Sequence, residues 1–408
     1  MTALRVRRLA AGGDGVGTLA DGRAVFVPRT APGDLVTLRN VRLARRFARA
    51  RLDQLVEPSP DRAEPRCPHY VVDECGGCQL QHLSYDAQLA GRRGFVGDAL
   101  RRLGRLDVAD PPIEPSPSQF GYRAKLTLHA AADGRRIGLR RYGRPDDLFD
   151  LAWCHITDSA LMELWQAVRA RRDLLPPRLD RVVLRLDRAG ERHLVVAVRG
   201  SDGWPRAGEL AGELARAGQP AMIWWHPEGG AARVVAGRRF ESPHVTVFEQ
   251  VHPAMGDRAR AYAVAALGDV RGRAVWDLYA GIGETTAALA AAGGRVESVE
   301  IDRRAVAHAE ASGPPARRHA AAAEATVDAL ELPELVITNP PRTGMDPRVT
   351  AAIARHAPRR VVYVSCDPAT LARDVARLGP GFELRSVHAF DLFPQTAHVE
   401  AVAVLSRT

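Results

Sequence analysis

Read for its alternation of apolar and polar positions, the chain is most regular at residues 360–368. There Val361, Val362, Tyr363 and Val364 run unbroken into Ser365, Cys366, Asp367 and Pro368. Such a run predicts a buried central strand of a parallel sheet, stopped by a proline that opens the next helix. From about Ser242 strand and helix patterns alternate. AVWDLYAGIGETTAALAAAG predicts a strand, a Gly-x-Gly turn and a helix opening at Glu284, and RVESVEID predicts a second strand ending in Glu300. LVITNPPRTG reads as the fourth strand, VVYVSCDP as the fifth, and FELRSVHAFDLFPQTAHVEAVAVL as the last two. The fold class predicted for residues 241–408 is a doubly wound, Rossmann-like α/β sheet of seven strands. Tyr279, Glu300, Asn339 and Cys366 would share one edge of it.

The patterning upstream differs. Residues 1–57 set short strand-like runs between turn dipeptides such as Asp21-Gly22 and Pro32-Gly33, which predicts a small all-β, OB-like barrel. Residues 58–240 hold the strand patterns DRVVLRLD, RHLVVAVRG and AMIWWHP, the helix patterns QLAGRRGFVGDALRRLG and SALMELWQAVRARR, and two proline-rich links. They predict an α+β domain. A chain of 408 residues is long enough for these three units.

Charge adds a partner. The net charge is +9, carried almost wholly by arginine, and a basic chain meets a polyanion, nucleic acid first. Base composition of a genome also enriches arginine and alanine, so the local density matters more. Arg39, Arg42, Arg45, Arg46, Arg49 and Arg51 crowd one stretch of the barrel, suited to phosphates or simply to a solvated strand pair. MTALRVRRLAAGG lacks the apolar core of a signal peptide, and no apolar run nears membrane-spanning length. Five cysteines, an odd number without an export signal, argue against a disulfide framework. The expectation is a cytosolic (cytoplasmic) monomer with no membrane partner.

Four of those cysteines suggest a metal site. Cys67, Cys75 and Cys78 lie close together, with two glycines between the last pair that let thiolates converge. Cys154 is the remaining cysteine before the C-terminal domain, and His69 and His82 are rivals for the fourth place. Four thiolates suit zinc or an iron–sulfur cluster, and spacing leaves the two open. Next to this, Tyr122, Arg123 and Lys125 interleave an aromatic ring with cations on one strand, a combination that stacks bases and holds phosphates. In the last domain Gly281 and Gly283 allow close backbone approach to a cofactor. Glu300, about twenty positions on, is placed to accept ribose hydroxyls from either S-adenosylmethionine or NAD.

A lone cysteine usually just packs, but Cys366 sits at the carboxyl end of a strand, where open α/β sheets do chemistry. Carbon 5 of a pyrimidine becomes nucleophilic only after a thiolate has added to carbon 6. After methyl transfer a base must remove the carbon-5 proton so that the thiolate can leave. Cys366 and Glu400 are the candidates for thiolate and base.

Taken together, DLYAGIG, VEID, NPPR, VSCDP and FPQTAHVE resemble the RNA uracil-5 methyltransferase family, and the resemblance covers almost the whole chain. It implies Cys366 as nucleophile, Glu400 as base, and S-adenosylmethionine contacts at Gln250, Tyr279, Glu300 and Asn339. It implies an RNA-binding TRAM domain over the first 57 residues. It also favours a [4Fe–4S] cluster over zinc at Cys67, Cys75, Cys78 and Cys154, as in the ribosomal RNA branch, so ribosomal RNA (23S) is favoured over transfer RNA. The chain departs from the family at Asn339, where aspartate is usual, and at His252, where asparagine is usual. The acidic residue expected near the third strand is missing from RRHAAAAEAT. Two other readings stand beside the uridine enzyme: an RNA cytosine-5 methyltransferase, suggested by Asn339, and an inactive RNA-binding or oxygen-sensing iron–sulfur protein, suggested by the three departures.

Overall fold

The computed structural model describes residues 3–131, 134, 136–240 and 245–408. Three sheets organise them. The C-terminal sheet has eight strands in the order Arg317–Ala320, Arg295–Glu300, Ala274–Leu278, Leu335–Thr338, Arg360–Ser365, Glu400–Arg407, Phe382–Phe390 and Ile113–Glu114. The first five are parallel, and Glu400–Arg407 runs antiparallel to both its neighbours. The chain turns to one side of Ala274–Leu278 first and to the other later, so the strand order switches there. That is where open α/β sheets bind ligands.

The run 361–364 shows why this strand is central. Val361 and Tyr363 enter the core on one face of the sheet, and Val362 and Val364 the core on the other. Period-two alternation thus feeds two apolar layers, and each fully buried side chain contributes roughly 1.5–3 kcal/mol.

The sheet holds one strand more than the seven expected. Ile113–Glu114 comes from far upstream and pairs with Ala389 and Phe390. Two residues among prolines are too short to show a period. The helix Tyr85–Arg102, capped by the Ser84 side chain on the Ala87 amide at 3.3 Å, also packs here. Its Val96 and Leu100 share a core with Leu371 and Val375. Residues that the sequence places in the middle domain therefore help to cover the C-terminal sheet. A further helix, Pro253–Leu267, closes the opposite face through Met255, Ala259, Ala263 and Leu267. Its alanine-rich face is too weakly apolar to stand out in the sequence. The expected boundary at 240/241 lies against residues 241–244, outside the described residues.

The middle sheet has seven strands, from Arg144–Asp150 at one edge to Arg233–Gly237 at the other. The helices Ser159–Ala170 and Ala207–Arg216 lie against it, with the Trp165 indole N–H donating to Leu151 O at 2.9 Å. The N-terminal unit is a six-stranded sheet around Val6, Val25, Val27, Val36 and Ala48. Among the described residues no helix is long and apolar enough to cross a membrane.

Candidate active site and cysteine site

Three local devices build the C-terminal edge of the main sheet. The turn after Ala274–Leu278 holds Tyr279, Gly281 and Gly283 at φ of 61°, 57° and 81°. Glycine takes that conformation freely, whereas Tyr279 takes it at a cost of roughly 1–3 kcal/mol, which surrounding structure must offset. The Glu300 carboxylate accepts the Gly281 and Asp302 amides, each at 2.8 Å, so turn and second strand hold each other. Gly283 also lets the turn pack tightly: a Cβ there would meet the Ala309 Cβ at 2.9 Å.

The second device is the proline loop, NPPRTG. The Asn339 amide N–H donates to Leu278 O at 3.1 Å, and its side chain is exposed. Gly344, at φ 77°, lies where a Cβ would strike the Arg373 and Asp374 side chains. The third is the helix Pro368–Leu378, capped by Asp367 on the Thr370 amide at 2.9 Å. Cys366 sits half-buried just before it.

Glu400 opens the last strand, pairing with Phe390, and is almost fully buried. Its Oε2 has no hydrogen-bond partner among the described residues. Burial pushes its pKa up to about 8, against a smaller downward pull from Arg342. Cys366 is also raised, by burial first and by the Glu400 charge second, and Arg342 again pulls it down. Arg342 thus faces both groups. It also approaches His398, Nη2 to Nε2, at 3.4 Å. Burial and the charges of Arg342, Arg123 and Arg92 hold His398 down near 4, so its imidazole is neutral at pH 7.

One cavity of about 1140 Å³ gathers Gln250, Tyr279, Gly281, Glu300, Asn339, Cys366 and Glu400 on its wall. Gly283 is not on that wall; it shapes the turn from behind. Arg123 reaches the cavity, whereas Lys125, the chain's one lysine, lies in a small cleft beside Arg185 and Glu249. Burial and the charges of Arg185, Arg123 and Arg181 lower the Lys125 pKa. His252 is buried away from the cavity, its ring stacked on Tyr122 and its Nε2 2.9 Å from Ser116 Oγ. The acidic residue read as missing from RRHAAAAEAT is present in that stretch: Glu324 lines the cavity beside Ala321, Ala322 and Ala323, just past the strand Arg317–Ala320, so the run of alanines between strand and acid hid it. Ile301 and Phe248, exposed by 70 % and 65 %, stand at the same wall.

Cys67, Cys75, Cys78 and Cys154 all line a second void of about 150 Å³. All four are free thiols. Burial, then the charges of neighbouring thiols, raises Cys75 to about 12 and Cys78 well above its usual value. His69 also touches the void, while its Nδ1 pairs with Asp73 at 2.7 Å and its Nε2 accepts the Ala152 amide at 3.2 Å. His82 points elsewhere, its Nδ1 2.7 Å from the Tyr70 hydroxyl. Among the described residues, no three His, Cys, Asp or Glu side chains are drawn together around a point that suits one metal ion. Gly77 and Arg123 line both void and cavity, so the two sites share a wall.

Known proteins match this arrangement. Residues 322–408 fit the family model described as tRNA (uracil-5-)-methyltransferase. A Gloeobacter violaceus protein named an uncharacterized RNA methyltransferase is 35 % identical, over 99 % of this chain and 96 % of its own. The chain belongs to the RNA uracil-5 methyltransferase family. A second relative, from Thermosynechococcus vestitus and likewise named an uncharacterized RNA methyltransferase, is 34 % identical over 99 % of this chain and 97 % of its own. The fold of this RNA methyltransferase is also that of the Pyrococcus abyssi tRNA (uracil-54, C5)-methyltransferase crystallised with S-adenosyl-L-homocysteine. That match has a TM-score of 0.75 and 24 % identity, over 99 % of this chain and all of that one.

Proposed function

We propose that this RNA methyltransferase transfers a methyl group from S-adenosylmethionine to carbon 5 of a uridine in structured RNA. The observation that carries the reading is the shared cavity, where a cysteine and a buried, unpartnered carboxyl face the glycine turn and Glu300. S-adenosylmethionine supplies an electrophilic methyl group. The residues present suit it: Glu300 has free lone pairs for the ribose, Ile301 an apolar face for adenine, and Glu324 an acceptor for the adenine amino group. Gln250, Tyr279 and Asn339 complete its surroundings.

The Cys366 thiolate adds to uridine carbon 6, and carbon 5 gains the electron density that takes the methyl group. Glu400, ionised, then takes the carbon-5 proton, the carbon-5–carbon-6 double bond re-forms, and the thiolate leaves. Arg342 stabilises the anionic character at both residues. The target base must leave its stack to reach Cys366, and a cavity of about 1140 Å³ has room for base and cofactor together. Arg123 and the arginine-rich hairpin would hold the RNA backbone.

The four cysteines would hold a [4Fe–4S] cluster. Four thiols that line one void of about 150 Å³ leave room for a multi-iron group, and four thiolates are the ligand set such a group takes. The cluster would brace this wall and supply no step of the methyl transfer. The four-cysteine set supports 23S ribosomal RNA over transfer RNA. Anaerobically purified protein should be brown, and a colourless, zinc-loaded preparation would reject the cluster.

The test of the reaction is a covalent trap. RNA carrying 5-fluorouridine has no carbon-5 proton to lose, so the enzyme should stall as a protein–RNA adduct on a denaturing gel, and Cys366→Ala should abolish it. No adduct from cluster-loaded, RNA-bound protein would overturn the uridine reading. Asn339 favours a second one, cytosine, because an amide can meet either pyrimidine edge. Mass analysis of nucleosides from the methylated product separates the two.

A further inference from the structure

We infer that Gln79, from the loop carrying the cysteines, is a positioning residue for Glu400. This rests on the reading of Glu400 as the base. Residues 391–399 lead into Glu400 without regular secondary structure, so outside partners must fix them. Several come from the cysteine loop. The amides of Gln79 and Leu80 both donate to Gln395 O, at 3.1 and 3.0 Å. The Gln79 side chain spans further: Nε2 donates to Gly76 O at 2.7 Å, and Oε1 accepts the Ala397 amide at 3.1 Å. One planar amide therefore joins Gly76, between two of the cysteines, to a backbone position three residues before Glu400.

A carboxamide suits both ends. Gly76 O needs a donor and the Ala397 N–H an acceptor, and the Gln79 head offers both, uncharged and in one plane, at the end of a side chain long enough to span them. Gln79 is itself held from behind by the Tyr70 hydroxyl, which donates to Gln79 O at 3.1 Å. Gly76, Gly77 and Gln79 also line the catalytic cavity with His398 and Glu400. Displacing a reacting group by about 1 Å costs on the order of 100-fold in rate. Loss of this bridge should therefore be felt at proton removal and not at RNA binding.

The test compares Gln79→Met, which keeps length and volume without either hydrogen bond, with Gln79→Glu, which keeps the acceptor. Both are read against Glu400→Gln, in full-length protein with the colour of its cysteine site intact. Gln79→Met should lower kcat about 10- to 100-fold, leave KM for RNA within about twofold, and increase the isotope effect with RNA deuterated at uridine carbon 5. Ordinary RNA should then accumulate as a methylated covalent adduct, and Gln79→Glu should be the milder variant. The inference is overturned if Gln79→Met keeps wild-type kcat, or loses activity with no rise in isotope effect or adduct while Glu400→Gln accumulates adduct. Absence of adduct in Glu400→Gln itself would instead remove the base assignment on which the inference stands.

Discussion

Glu400 shows what a single residue asks of its surroundings. A carboxyl in near-complete burial, with an oxygen that meets no donor, keeps its proton to about pH 8 instead of its ordinary 4.5. Cys366 is also raised, so the free enzyme at neutral pH holds both groups mainly protonated. The rate at low substrate, kcat/KM, should therefore climb from pH 7 to beyond pH 8; a profile flat over that range would show that neither group titrates in the reaction. The same shift governs stability. The folded state binds the proton more tightly than the unfolded chain, so this contribution is complete below pH 4.5 and disappears as pH rises through about 8. Glu400→Gln, which never ionises, should therefore gain in Tm over the parent at pH 9 and show little gain near pH 5. An equal difference at both pH values would place the carboxyl in water.

At the scale of elements, one buried carboxylate fixes the proline loop relative to the nucleophile. Asp374, on the helix that follows Cys366, accepts the Tyr363 hydroxyl at 2.8 Å and the Met345 amide at 2.7 Å through Oδ2. Its Oδ1 accepts Arg373 Nε at 2.9 Å and Arg377 Nη1 at 3.2 Å. Strand, helix and loop meet in one fully satisfied group, so the cost of burying it is compensated. Asp374→Ala would leave a phenol, an amide and two guanidinium groups without their partner. The expected loss is about 3–5 kcal/mol, measured by urea unfolding, with weaker cofactor binding as Asn339 and Arg342 shift. A loss under about 1 kcal/mol, the range of an exposed pair, would mean that the network carries little.

The whole molecule explains what a sequence can disclose. The unbroken apolar run at 361–364 predicted a central strand because both faces of that strand are buried, and Cys366 at its carboxyl end followed from it. The contacts that fix Glu400 were not legible in this way. Arg92 donates to Thr396 O at 3.2 Å and to Phe393 O at 3.3 Å across some 300 residues of chain, and lies 3.6 Å from Asp391. Nothing in a helix pattern marks an arginine for full burial. The strand Ile113–Glu114 and the pairing of Gln79 with Ala397 were equally hidden, because each depends on a surface that exists only after folding.

Charge, by contrast, was legible because exposed arginines need no partner. Arg42, Arg45 and Arg46 stand exposed at the end of the long hairpin Leu35–Leu43 and Phe47–Glu57, with no carboxylate paired to them among the described residues. Arg49 and Arg51 approach Asp14 and Glu74 only at 3.7 Å. If this ridge holds RNA phosphates, each contact releases counterions, contributing about −0.7 to the slope of log affinity against log salt for single-stranded RNA. Replacing Arg42, Arg45 and Arg46 by alanine should flatten that slope by about 2 and weaken binding to any RNA sequence alike. Methyl transfer at saturating RNA should hold, since none of the three touches the cavity. An unchanged slope, measured by fluorescence anisotropy from low to moderate salt, would take the hairpin out of the RNA interface and leave Arg123 and Arg342 to carry it.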